Sequence, residues 1–421
     1  MIMSKFDKDL GVIGLGYVGL PLAVESSNSG LKVLGYDNNS EKVNNLLKGS
    51  SPIEDISNTN LEEALEKGLT ITDSPEELKD CEHIVISVPT PLTDYQPDLS
   101  YVKAAAQTIA KIISKEQIII LESTTYPGTT LEVLIPEIES ITDLKAGKDF
   151  YVGYSPERID PGNETWNFKN TPKVISGIDE KSAKKIKNFY ERIIDEVVQV
   201  SGTKEAEMVK LLENTYRHVN IAFINELAIL CNMLDIDIWE VVEAAKTKPF
   251  GFESFRPGPG VGGHCIPIDP NYLSFKTREI GKPVRFVELA QEINNTMPSY
   301  IVSRIIEMMN SLEKPMNNSN ILILGVAYKK DISDTRESPS INIIENLYSK
   351  GVNVSYYDPF VDSLKLNAPI KKEEDIKNFN NYDLILFHTA HTEFSQINFE
   401  EIDVPIFDAT GTGYVTNSER I

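Results

Sequence analysis

The stretch "DLGVIGLGYVGLPLAVESSNSG", residues 9–30, and its continuation "LKVLGYDNN", residues 31–39, decide the fold. A short apolar run stops at a glycine turn, and a helical pattern begins at once. A second apolar run then ends in an acid. Gly14, Gly16 and Gly19 stand in G-x-G-x-x-G spacing. The spacing alone is weak. The strand before it, the helix after it and Asp37 at the end of the next strand supply the context that gives it meaning. The first glycine makes the tight turn. The second lets the backbone approach a pyrophosphate lying on the helix N-terminus, and the third lets helix and strand pack closely. Asp37 can hydrogen-bond ribose hydroxyls and repels a 2′-phosphate, which favours NAD over NADP. The cofactor candidates are Gly14, Gly16, Gly19, Tyr17, Val18 and Asp37, Lys42 on the adenosine side, and Pro89, Thr90 and Thr124 at later strand ends. The alternative is a glycine turn without a ligand.

Working outward, "CEHIVISVPTP" (81–91) and "QIIILESTT" (117–125) are apolar runs bounded by turn residues, and "SYVKAAAQTIAKII" (100–113) between them has helical spacing. Strands alternating with helices predict a parallel, doubly wound sheet. From residue 203 to 246 there is no glycine or proline, which predicts one long helix or two with a tight break. Residues 284–313 form a second long helical stretch, with Pro298 expected at a kink or a helix start. Long apolar helices between two sheet domains suit a homodimer or higher homo-oligomer interface; packing within the chain is the alternative. Beyond the linker "KPMNNSN" the first pattern returns. "NILILGVAYKKD" (320–331), "GVNVSYYDPF" (351–360) and "YDLILFHTAH" (382–391) echo the first strands, without the full glycine fingerprint. The expected architecture is α/β: two Rossmann-like doubly wound parallel-sheet domains joined by a central long-helix region, with boundaries at 1–202, 203–315 and 316–421.

The chain has 421 residues, 41% of them hydrophobic, and a formal net charge of -22. So acidic a surface repels phosphate backbones and argues against nucleic acid as a partner. It does not exclude a small phosphate ligand held by local amides. The three cysteines, Cys81, Cys231 and Cys265, lie far apart, which fits neither a disulfide framework nor a zinc ribbon. The N-terminus lacks a signal-peptide apolar segment, and no apolar run reaches the roughly 20 residues of a membrane helix. The reading is a cytoplasmic protein with no membrane partner and no metal.

"GPGVGGHCIPIDP", residues 258–270, sets Cys265 among glycines and prolines. The thiol can be core packing, a metal ligand or a nucleophile. No regular element can bury it there. His264 and Asp269 alone make too small a ligand set for a metal. A nucleophile is the best reading. Lys210 and Asn214, at i and i+4, share a helix face and could bind an alkoxide or polarise a carbonyl; a solvated lysine is the alternative. Thr124 ends a strand at the carboxyl edge of the sheet, where ligands bind. Glu157 in "YSPERIDPGN" follows another strand; its bland reading is an exposed loop acid.

Together, "GLGYVGLPLA", "STTYPGTT", "YSPER", the Lys210/Asn214 helix, "GVGGHCIPIDP" and "GVAYKKDISDTRESPS" resemble the UDP-sugar 6-dehydrogenases, the family of UDP-glucose dehydrogenase and its UDP-N-acetylhexosamine relatives. The resemblance spans essentially the whole chain. It implies an N-terminal NAD domain, a central dimer helix and a C-terminal UDP-binding domain. It further implies oxidation of a 6-hydroxymethyl group to a carboxylate with two NAD in sequence. Cys265 is then the nucleophile that holds the aldehyde as a thiohemiacetal and afterwards as a thioester. Lys210 and Asn214 stabilise oxyanions, Asp269 and Thr124 position the water that moves protons, and Glu157 assists thioester hydrolysis. The implied substrate contacts are Glu157, Arg158, Lys210, Asn214, Phe255, Gly262, Tyr272, Lys329 and Arg336. In "SPERIDPGN", Arg158 replaces an aromatic, and Pro161 stands where UDP-glucose enzymes carry a second acid. This departure resembles the UDP-N-acetylglucosamine 6-dehydrogenases that serve surface polysaccharide, with Arg158 available to an acetamido group. The competing readings are a two-electron hydroxy-acid dehydrogenase, which has no need of Cys265 or a second sheet domain, and a nucleotide-sugar sensor with dead chemistry.

Overall fold

The computed structural model describes residues 5–53, 56–93, 96–159, 163, 165–263, 265–366, 368–376, 379–415 and 418–421. The opening stretch folds as read. Strand β1 (Lys8–Ile13) leads into helix α1 (Gly19–Asn28) and strand β2 (Val33–Tyr36). Helices α2 (Ser40–Leu47) and α3 (Asn58–Glu66) follow, then strands β3 (Thr70–Thr72) and β4 (Cys81–Ile86) and a small hairpin, β5 (Leu92–Thr93) with β6 (Gln96–Pro97). Next come α4 (Ser100–Ile112), β7 (Ile118–Leu121), α5 (Ile135–Glu139), β8 (Tyr151–Tyr154), β9 (Lys173–Gly177), α6 (Glu180–Tyr190) and β10 (Val197–Gln199). These strands form an eight-stranded sheet in the order β10-β9-β8-β7-β4-β1-β2-β3. Its pairings are parallel except β8 with β9. The run β3-β2-β1-β4-β7-β8 is the dinucleotide-binding strand order. Its central strands are buried on both faces, as a helix-covered parallel sheet requires: Leu10, Val12, Val85 and Ile120 pack with Leu20, Leu61 and Ile186.

The glycine-free region resolves into two helices. Helix α7 (Thr203–Met233) ends at a turn in which Asp235 takes φ 55° and the Ile236 amide donates to the Cys231 carbonyl at 2.9 Å. Asp237 then caps α8 (Ile238–Lys246), accepting from the Trp239 amide at 2.9 Å. After α9 (Asp269–Glu279), α10 (Arg285–Ser311) continues through Pro298, which is buried in the helix interior and does not start it.

The remaining elements are β11 (Asn320–Leu324), α11 (Pro339–Ser349), β12 (Asn353–Tyr357), β13 (Lys371–Lys372), β14 (Leu384–Phe387), β15 (Ile406–Asp408) and β16 (Glu419–Arg420). They build a six-stranded, wholly parallel sheet in the order β13-β12-β11-β14-β15-β16. That is the same strand order a second time. Met297, Ile301, Ile305 and Met309 of α10 pack with Ile321, Ile343 and Leu347 of this layer. The chain divides into two compact units, Met1–Glu213 with Asn271–Gly281, and Asn214–Pro270 with Lys282–Ile421.

Candidate active site

The glycine turn fits a pyrophosphate by its open space. Gly14 has φ 92°, and a Cβ there would meet the Ser87 carbonyl at 2.3 Å. A Cβ on Gly19 would lie 1.9 Å from the Gly14 carbonyl, so helix and turn touch. At Gly16 nothing lies within 4 Å. The space over Gly16 is what a phosphate needs above amides at a helix start. Asp37 is nearly buried. It accepts from the Leu15 amide at 3.0 Å, the Asn39 amide at 3.0 Å and Lys42 Nζ at 2.8 Å. Its carboxylate is thereby fixed at the turn, and Lys42 is held against it. Tyr17 is exposed at the turn, with Val18 half-buried beside it.

The second sheet repeats this acid with a different occupant. Asp358 follows β12 and accepts from the Val326 and Ala327 amides at 2.7 and 3.1 Å, with Gly325 (φ 77°) just before them. His391 Nε2 lies 2.9 Å from the same carboxylate oxygen, and both side chains are fully buried. The carboxylate that follows the second strand is thus paired with a buried imidazole in this sheet and with Lys42 in the first.

At the carboxyl edge of the first sheet, loops after β4, β7 and β8 meet. Ser123 Oγ accepts from the Val88 amide at 2.9 Å and donates to the Val88 carbonyl at 2.8 Å, joining the Thr124 loop to the Pro89–Thr90 loop. Thr124 and Thr90 are half-buried and Pro89 is exposed. Glu207 on α7 holds the next turn, accepting from the Gly128 amide at 2.5 Å, the Thr130 amide at 2.8 Å and Thr130 Oγ1 at 2.7 Å. Burial pushes its carboxyl up to about 6, against those three hydrogen bonds. Tyr272 is buried in this same unit, its hydroxyl donating to the Thr90 carbonyl at 2.8 Å. This bond ties Tyr272 to the loop that carries Thr90.

Glu157 is not an exposed loop acid. Its Oε1 accepts from the Arg158 and Ile159 amides, both at 2.7 Å, and its Oε2 from Lys173 Nζ at 3.0 Å. Burial pushes the Glu157 carboxyl up, but Lys173, the amide of Ile159 and Lys210 outweigh it, and the net displacement is downward. Lys210 is buried and donates from Nζ to the Glu157 carbonyl oxygen at 2.6 Å, which excludes the solvated-lysine reading. The Arg158 guanidinium pairs with Glu213 at 2.7 Å and donates to the Pro172 carbonyl at 2.7 Å.

In the second unit, Asn214 Nδ2 donates to Oδ2 of Asp269, a buried carboxylate at the start of α9. The Asp269 amide in turn donates to the Cys265 carbonyl at 2.8 Å. Cys265, half-buried, is thus one turn from a carboxylate already bonded to the helix amide. Its loop is anchored from both long helices. The Gly258 amide donates to Asn225 Oδ1 at 2.9 Å, and Asn225 Nδ2 to Asn294 Oδ1 at 3.0 Å. Gly262 and Gly263 press on Tyr328: Cβ atoms there would lie 2.6 and 2.7 Å from it. These two glycines therefore serve close packing. The Gly263 amide also donates to the Arg336 carbonyl at 3.1 Å, while the Arg336 guanidinium grips Asp334. Lys329 is half-buried on that loop, and Phe255 packs edge-on against Tyr216 at 5.9 Å. His264 and Pro161 lie outside the described residues. Cys81 does not compete: it is buried, and burial pushes its thiol up to about 12.

Three polar residues of these loops escaped the sequence reading: Glu122, Lys173 and Glu207. The signal was available. "LEST" and "TPKV" each set a charge at the end of a buried apolar strand, where a lone charge is costly.

Residues 8–194 match the UDP-glucose/GDP-mannose dehydrogenase family, NAD binding domain; 204–296 match its central domain and 322–411 its UDP binding domain. The chain is 36% identical over 397 residues to UDP-N-acetyl-D-glucosamine 6-dehydrogenase of Salmonella typhi, covering 93% of this chain and 92% of the relative. It is 36% identical over 399 residues to UDP-N-acetyl-D-mannosamine dehydrogenase of Pyrococcus horikoshii, covering 93% and 92%. The solved structure of the UDP-D-ManNAc dehydrogenase from Pyrococcus horikoshii aligns with a TM-score of 0.88 at 33% identity, over 97% of this chain and 96% of that one. With the cofactor turn and both sheets in place and matches in all three regions, the chain belongs to the UDP-glucose/GDP-mannose dehydrogenase family and is an NAD-dependent UDP-sugar dehydrogenase.

Proposed function

We propose that the protein oxidises the C6 hydroxymethyl of a UDP-N-acetylhexosamine, UDP-N-acetylglucosamine first, to the uronic acid, in a four-electron reaction through Cys265. The observation that carries this reading is the Cys265–Asp269–Asn214 arrangement: a thiol one turn from a buried carboxylate, itself bonded to the helix amide. NAD supplies the hydride acceptor at each oxidation. Gly14, Gly16, Gly19 and Asp37 would hold it, with Tyr17, Val18, Lys42, Pro89, Thr90 and Thr124 around it.

Lys210 and Asn214 stabilise the alkoxide from which the first hydride leaves, and Thr124 and Asp269 hold the water that takes its proton. The Cys265 thiolate adds to the aldehyde carbon and forms a thiohemiacetal, which keeps the reactive aldehyde bound. Loss of the second hydride leaves a thioester. Glu157 takes a proton from water as it attacks the thioester carbonyl, and the carbon–sulfur bond breaks to return the thiolate. Lys329 and Arg336 belong to the nucleotide end of the substrate, with Phe255 and Gly262 beside the sugar. For Arg158 to reach an acetamido group it must give up Glu213, so its contribution to substrate choice acts through that pair.

The named relatives support both the N-acetylglucosamine and the N-acetylmannosamine epimers at equal identity. The test is NAD reduction with UDP-N-acetylglucosamine, UDP-N-acetylmannosamine, UDP-N-acetylgalactosamine and UDP-glucose in parallel. The reading expects the highest kcat/KM for UDP-N-acetylglucosamine. A preference for UDP-glucose overturns the N-acetylhexosamine assignment.

A further inference from the structure

Lys173 enters neither the cofactor site nor the scheme above, yet its side chain is buried. Its position follows from topology. Strand β9 is antiparallel to β8, with Tyr154 opposite Ser176. The first residue of β9 therefore lies at the same sheet edge where β7 and β8 deliver Glu122 and Glu157. Lys173 Nζ sits 3.0 Å from Glu122 Oε1 and 3.0 Å from Glu157 Oε2. Tyr190 on α6 donates its hydroxyl to Glu122 Oε1, and the Tyr190 ring stands 5.4 Å from Lys173 Nζ. On the other side, α7 brings Lys210 to the Glu157 carbonyl and Glu213 to Arg158. These are the charged and titratable groups facing Glu157 from β7, β9, α6 and α7.

Two carboxylates held this close in a dry site cannot both stay ionised without a shared cation. Burial pushes the Glu122 carboxyl up, with Lys173 only partly opposing, whereas for Glu157 the cation and the amides prevail. The two acids are driven apart. One is biased toward its neutral form, with Tyr190 beside it, and the other toward the anion.

We infer that Lys173 is the positioning residue for thioester hydrolysis: by bridging Glu122 and Glu157 it keeps Glu157 an oriented carboxylate, able to take the proton of the attacking water. The inference rests on the reading that Glu157 serves as that base. Without the Lys173 charge, burial raises the Glu157 carboxyl, and the base form appears only at higher pH.

The experiment follows the acyl adduct on Cys265 by quench and intact-protein mass, with NAD binding as the measure of folding. In Lys173→Met the adduct should accumulate because hydrolysis slows about ten-fold or more near neutral pH. The acid limb of the hydrolysis step should move up by about one to three pH units. Lys173→Arg, which keeps the cation, should return the limb toward the parent. A Lys173→Met protein that binds NAD but shows an unmoved limb and no added adduct overturns the inference. If Lys173→Met alone does not fold, the double variant Lys173→Met/Glu157→Gln removes the stranded Glu157 charge. It should hydrolyse the adduct no more slowly than Glu157→Gln, and a further loss of about ten-fold overturns action through Glu157. The parent separates the two claims. If it never forms a Cys265 adduct, the functional reading fails; if it does and Lys173→Met matches it, only this inference fails.

Discussion

At the scale of single residues, the glycine turn separates folding from cofactor binding. A Cβ on Gly16 meets nothing, so Gly16→Ala should keep the parent's thermal midpoint yet weaken NAD binding roughly ten-fold, about 1.4 kcal/mol. A Cβ on Gly19 runs into the Gly14 carbonyl, so Gly19→Ala should cost about 1–3 kcal/mol of stability. NAD titration and thermal unfolding on both variants check this; equal losses of stability would contradict the assignment of roles. Cys265→Ser should stop turnover and leave NAD affinity unchanged, and an active serine variant would refute the nucleophile. The glycines and Cys265 were legible because each departs from its surroundings in the sequence. Lys173 and Glu122 were legible only as charges at strand ends; their partnership was not, because it lies in the reversal of β9, a pairing that no local pattern encodes.

At the scale of elements, the loops that carry polar groups are tied to the long helices. Glu207 gives one carboxylate to two backbone amides and a hydroxyl of the turn that follows Thr124. Glu207→Leu strands those donors, which should cost about 1–3 kcal/mol and speed hydrogen exchange at Gly128 and Thr130. Unchanged exchange there would mean the turn holds itself. The helical stretches were legible from their lack of glycine and proline. Where α7 stops was not, because the break rests on one residue in a left-handed conformation, Asp235, which the sequence leaves as ordinary as its neighbours. Of the two roles expected of Pro298, helix start is excluded, since it lies inside α10. Tertiary packing of Met297, Ile301 and Ile305 holds α10 together through a residue that breaks isolated helices. Exposed apolar side chains at heptad-like spacing on α7, Tyr216, Phe223 and Leu230, support the proposal that a second copy covers this helix.

At the scale of the whole molecule, one strand order occurs twice and only the first copy keeps the cofactor turn. The repeat was legible as two echoed strand–acid patterns; the filling of the second acid by His391 was not, since it joins residues 33 positions apart. Among the described residues no helix is long and apolar enough to cross a membrane. The two units share a pH liability. Burial pushes His83, His218 and His388 each down to about 4. A histidine whose folded value is depressed contributes stability above its unfolded value, near 6.5, and loses it as pH falls toward 4, on the order of 3 kcal/mol for each. Glu207, raised to about 6, works the other way as pH falls through 6. Glu122, which burial also raises, acts with Glu207; the three histidine losses outweigh these two acids, so the thermal midpoint should fall between pH 7 and pH 5, and a flat or rising midpoint would contradict the burial assigned to them.

The central claim is that one active site removes four electrons from one sugar while Cys265 holds the half-oxidised carbon. The direct measurement is NADH formed per mole of UDP-N-acetylglucosamine, with the sugar limiting and NAD in excess. The account predicts two NADH and a uronic acid product. One NADH, with an aldehyde released or a ketone formed, would contradict it.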